Sequence, residues 1–233
     1  MPPAEPFQPH GPSHLWTLAV TAAAAVALPL LARRFGHSRP VAVTLGIVLV
    51  AQQAVETWLR VEAGWTSAMS LLPFHLCTVT IYLTAFVLFT RNRHAYEVAY
   101  FWATGGTLQA LVTPDVYFDF PHPAFLSFFA GHGTVIVAIA YATFVFGLRP
   151  RLRSIPRAMG VTAAYAAVMF LVNLALDTNF LYLMAKPGQP SILDWLGPWP
   201  WYLIGLAGVA ATSMVVWTLP FVLADRLRRG QRR

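Results

Sequence analysis

A thiol, two imidazoles and a carboxylate stand out in a chain that is 57% hydrophobic and only 11% charged. Cys77 follows His75 by two residues, His132 stands between Gly131 and Gly133, and Asp177 lies four residues after Asn173. Cys77 is the only cysteine, so no intramolecular disulfide can form. A thiol in apolar surroundings is a weak nucleophile until a base takes its proton. On an ideal helix His75 and Cys77 point about 200° apart, so His132 is the better base unless Pro73 distorts the turn. Asp177 or Asn173 could hold that imidazole in one tautomer, as the third member of a triad does.

Each residue also has a plainer reading. A lone buried cysteine commonly packs as a small hydrophobe, and Asn, Gln and Thr often serve as glue between membrane helices. Glu56 and Arg60, four apart, fit an interfacial ion pair on one stripe with Gln52. For Gly105-Gly106 and Gly131-His132-Gly133 two readings stand level: close helix packing, or room for a substrate chain beside His132.

Seven apolar segments must position these groups: 15–32, 41–59, 71–90, 96–112, 124–146, 158–176 and 200–224. Each is near the ~20 residues that cross a bilayer at 1.5 Å per residue. Their basic ends fix the threading. Of sixteen Lys and Arg, all but Arg60 and Lys186 fall in four clusters, at 33–39, 91–93, 149–157 and 226–233, which seven spans put on one side. Cytoplasmic loops retain positive charge. The sequence therefore reads as an all-α membrane protein, a bundle of seven transmembrane helices with the N-terminus outside and the C-terminus cytoplasmic. Residues 1–13 form an outer tail without Lys or Arg, 14–225 the membrane domain, and 226–233 a basic cytoplasmic tail. The polarity of the first segment is the reverse of a secretory signal's. Short connections with turn formers such as Pro121, Pro187, Gly188 and Pro190 leave no space for a soluble domain.

Threaded this way, His75, Gln109, His132 and Asn173 lie roughly 5–12 Å below the outer edge of the apolar region. The inner half is nearly bare, with Glu97 and Asp225 at its boundary and reaching the headgroups. Ionisable groups at membrane depth usually mark function, and two histidines, a carboxylate and a thiol in one layer mark a site. Trp195, Trp199, Trp201 and Tyr202 read as an interfacial belt at the outer end of the last segment.

The run Leu72-Pro73-Phe74-His75-Leu76-Cys77 resembles the signature of the bacterial YwaF-like family of integral membrane proteins. Gly131-His132-Gly133, then Asn173 with Asp177-Thr178-Asn179-Phe180-Leu181-Tyr182-Leu183, fit the same family, and the likeness runs from about 41 to 222. That family is similar to eukaryotic transmembrane protein 164, a membrane acyltransferase acting on ether phospholipids through a cysteine. The resemblance implies that Cys77 is the acyl-accepting nucleophile and His132 the histidine that serves it. Thr78 stands where many relatives are expected to carry an acidic residue.

Residues and resemblance together favour a lipid acyltransferase or acyl hydrolase of the cell membrane, working through a Cys/His thioester. Cys77, His132 and Asp177 are its expected catalytic residues, and His75, Gln109, Asn173, Asn179 and Glu56 are expected to line the substrate site. Its partners would be membrane phospholipids; no cofactor or soluble protein partner is expected. The competing reading is a transporter or binding protein for a small polar solute, using the buried His, Asp and Glu groups. A metal site has the right ligand types at His75, Cys77, His132 and Asp177, but the spacing matches no standard motif. Basic residues at the ends of apolar runs argue against nucleic acid. With Lys186 in a loop, no helix offers a lysine for a retinal Schiff base.

Overall fold

The structure, a computed structural model, describes residues 5–36, 38–187 and 192–230. Gly188 and Pro190, and residues 1–4 and 231–233 of the two expected tails, lie outside the described residues. The helices are α1 (Pro12–Arg34), α2 (Ser38–Glu62), α3 (Ala68–Leu71), α4 (Leu76–Thr90), α5 (Arg93–Trp102), α6 (Leu108–Val112), α7 (Pro123–Phe144), α8 (Ser154–Leu176) and α9 (Trp201–Gly230). Among the described residues six stretches are long and apolar enough to cross a membrane: α1, α2, Ala68–Thr90, α7, α8 and most of α9.

Two of the expected segments differ from continuous helices, each for a local reason. The expected span at 71–90 is a proper helix only from Leu76. Pro73 has no N–H and drives Leu72 to extended backbone (φ −73°, ψ 134°), so the chain turns and His75 becomes the N-cap of α4. The expected span at 96–112 is helical over 93–112 but not uniformly so. A π turn at Ala103–Thr107 separates α5 from α6, and the Leu108 N–H reaches back to the Ala103 carbonyl. Gly105 and Gly106 weaken the α-helix there, where a π bulge can form. This interrupted helix is the one expected span that is not among the six.

The centre of the bundle is α7. Half of its apolar window is buried, against 11% for α1, α8 and α9, which makes those three peripheral. Helix α7 touches α1, α2, α4, α5, the π turn and α6. Lipid tails are as apolar as leucine, so close packing and hydrogen bonds, rather than hydrophobicity, hold such helices together. Tyr96 Oη meets Thr143 Oγ1 at 2.7 Å, Trp102 Nε1 donates to Thr162 Oγ1 at 2.8 Å, and Tyr100 Oη donates to the Trp217 carbonyl at 3.0 Å. Around them Leu49, Leu88, Val135 and Ala138 form a sealed inner core.

The basic clusters converge at one end. Arg39 Nη1 donates to the Phe89 carbonyl at 2.8 Å, Arg91 lies over the Phe146 ring at 4.4 Å, and Arg149 pairs with Asp225 at 3.3 Å. Glu97 is only 1% exposed, and its carboxylate pairs with Arg93 and Arg157. At the other end the described part of the expected N-terminal tail folds back. The Phe7 N–H donates to the Tyr117 carbonyl, and the buried His14 uses both ring nitrogens, on His10 N and the Leu111 carbonyl. Trp195, Trp199 and Trp201 are exposed there as expected of a belt, but Tyr202 is fully buried and donates to the Tyr182 carbonyl.

Candidate active site

Cys77 is the second residue of α4 and half-buried. No side chain caps this helix, and the Cys77 N–H is turned toward its own sulfur. The positive end of the helix dipole thus lies at the sulfur. His75 is not one face of a helix but an extended cap. Its Nε2 donates to the Met69 carbonyl at 2.9 Å, and its ring packs edge-on to Phe180 at 5.0 Å.

His132 projects from the middle of α7. Its Nδ1 donates to the Phe128 carbonyl at 2.8 Å, and its ring stacks on Phe128 at 4.1 Å. A carbonyl can only accept, so the proton sits on Nδ1 and Nε2 carries the lone pair. The orienting partner is therefore backbone on the same helix. Asp177, expected in that role, makes no hydrogen bond to His132; it is the exposed, left-handed C-cap of α8 (φ 50°).

Asn173 and Asn179 are fully occupied elsewhere. Buried Asn173 donates to the Phe180 carbonyl at 3.0 Å and accepts from Phe180 N at 2.8 Å and Thr178 Oγ1 at 2.9 Å. Asn179 donates to the Ala185 carbonyl at 2.8 Å and accepts from Met184 N at 2.9 Å. Together they fold the loop after α8, which seats Phe180 against Phe74 and His75. In the same loop burial, followed by the charges of Asp115, Cys77 and Tyr117, pushes the Tyr182 phenol up.

The third group is a polar chain between α2 and α7. Gln52 Nε2 donates to the Ser127 carbonyl at 2.9 Å, Ser127 Oγ donates to Glu56, Glu56 pairs with Arg60 at 3.0 Å, and Arg60 donates to the Ser70 carbonyl at 3.0 Å. The expected Glu56–Arg60 pair is present. Gln109 is exposed and donates to Thr113 Oγ1 at 2.9 Å.

Sequence reasoning missed the Phe128 carbonyl, for which no side-chain signal exists. It also left Ser127 and Tyr182 outside its expected site, although the first shares the depth of Glu56 and the second lies in the motif with Asn179. An apolar groove of about 570 Å³ runs between α1 and α7, lined by Trp16, Val20, Phe129, Gly133 and Val137. It lies on a different face of α7 from Phe128 and His132. Among the described residues no cluster of three His, Cys, Asp or Glu could hold a metal ion.

The family model described as "TMEM164 family" matches residues 9–218. No curated protein and no solved structure matches the chain.

Proposed function

The chain belongs to the TMEM164 family, and from that premise we propose that it is a seven-span enzyme of the cell membrane that handles lipid acyl groups through a thioester on Cys77. The observation that carries this reading is the state of His132. With Nδ1 bound to the Phe128 carbonyl, Nε2 is fixed as a base on the helix packed beside α4. Nε2 takes the thiol proton as Sγ attacks the ester carbonyl, then returns it to the departing oxygen. Backbone amides at the start of α4 stabilise the oxyanion, a role worth about 2.7–4 kcal/mol per donor. Release goes to a lipid hydroxyl in a transferase or to water in a hydrolase. Asp177 falls outside this mechanism, and Asn173 and Asn179 shape the loop that covers the site.

Threading supports the same reading. The helix at 93–112 is about 30 Å long at 1.5 Å per residue, enough for a seventh span. With seven spans the convergent basic end is cytoplasmic and Cys77 lies toward the outer leaflet. Residues 14–225 then form one membrane domain, with 226–233 as its cytoplasmic tail. The partners are membrane phospholipids. A solute path would have to cross the apolar inner core around Leu49, Leu88 and Val135, which weighs against transport.

Intact-mass spectrometry after incubation with phospholipid tests the proposal. The expected result is a hydroxylamine-labile gain of one fatty acyl group, lost in Cys77→Ser and slowed in His132→Ala. An unmodified wild-type mass with every lipid tried sinks it.

A further inference from the structure

The π turn between α5 and α6 holds a hydroxyl that has no partner. Thr107 is 1% exposed, and its Oγ1 makes no hydrogen bond among the described residues. Thr84 in α4 shares this lack of a partner, while Thr80, Thr104, Thr143, Thr162 and Thr218 return their hydroxyls to the carbonyl four residues back, the usual outlet in a membrane helix. For Thr107 that carbonyl belongs to Ala103, which accepts the Leu108 N–H of the π turn and not the Thr107 hydroxyl.

The surroundings of the turn say where this hydroxyl is aimed. Gly105 faces α9, where a Cβ would stand 3.5 Å from Ser213 Oγ, and Gly106 faces α4, 3.7 Å from the side chain of Leu76. Thr107 follows one residue further round the turn, away from α9 and toward the seam between α4 and α7, both of which the turn touches. Cys77, next to Leu76, and His132 are carried by those two helices. The glycines of the turn are not required by packing either. A Cβ at Gly131 would stand 2.7 Å from Gln52 and one at Gly133 2.9 Å from Thr21, whereas Gly105 and Gly106 leave room for one.

We propose that the π turn is the wall against which the acyl ester lies, with Thr107 Oγ1 donating to the ester carbonyl oxygen as Cys77 attacks. The inference rests on the thioester reading above and adds a catalytic residue to it. The Sγ–carbon bond forms and the bond from the carbonyl carbon to the alkoxy oxygen breaks. The thiol proton passes through His132 Nε2 to that oxygen, leaving an acyl-thioester and a lyso-lipid alcohol. No electron acceptor is needed. Thr107 keeps its own proton and stabilises the tetrahedral oxyanion. A π turn suits the task because it leaves a polar group unpaired until substrate arrives.

The test pairs thermal unfolding in detergent with the rate of Cys77 acylation by a phospholipid, for wild type, Thr107→Val and Thr107→Ser. Valine keeps the shape and removes an unpaired buried hydroxyl, so it should melt at or above the wild-type temperature. Its acylation rate should fall about 10²–10³-fold, the usual effect of losing one such donor. Serine, which keeps the donor, should stay within about tenfold of wild type on the same scale. Thr107→Val acylating at the wild-type rate would overturn the inference and leave the thioester reading intact. So would parallel losses of stability and rate in both variants, which mark a structural role. Wild type that forms no adduct overturns both.

Discussion

Asn173 shows how a polar side chain at membrane depth can be consumed by the fold. One amide satisfies both backbone groups of Phe180 and the hydroxyl of Thr178, while Leu181 and Tyr182 turn through the left-handed region at φ 60° and 54°. Two adjacent non-glycine residues there are strained, and such backbone persists only where its surroundings over-determine it. Asn173→Ala should therefore lower stability by about 1–3 kcal/mol, because it leaves buried backbone groups unpaired. Unfolding in detergent measures the loss, and acylation should fall with it as Phe180 leaves His75. His132 is the opposite case. Its orienting bond costs the chain no second side chain, so one nitrogen stays open for chemistry.

At the scale of the element, the glycines part into two kinds that the sequence left level. Gly131 and Gly133 bring α7 against Gln52 of α2 and Thr21 of α1, so the close-packing reading holds for them. Gly105 and Gly106 belong to a π turn with Cβ-sized room beside it. Gly131→Leu should separate α2 from α7 and cost about 1–3 kcal/mol or more, as overpacking does. Gly105→Ala should leave the melting temperature unchanged or raise it, since glycine is the weaker helix former. The two melting curves, run side by side, check both. Helix α4 gives the parallel lesson for breaks. Pro73 marked a distortion in the sequence, but only the structure makes His75 an extended cap held by Met69.

For the whole molecule the prediction concerns orientation. With Cys77→Ser as background, Tyr117→Cys should react with a membrane-impermeant maleimide in intact cells, and Arg151→Cys should react only after permeabilisation. The reverse pattern would invert the proposed topology and put the site in the inner leaflet. The sequence by itself determined that the chain is helical and multi-pass and that its basic ends gather on one side. Those properties follow from hydropathy, charge and the 1.5 Å rise, all of which are local to the chain. Only the tertiary structure decided which polar groups are already satisfied. Asp177 became a helix cap, Asn173 and Asn179 became loop clamps, Glu56 took the Ser127 hydroxyl, and Thr107 was left without a partner among the described residues. A hydrogen bond is closed by a partner that is often distant in sequence or part of the backbone, and neither residue type nor spacing encodes that partner.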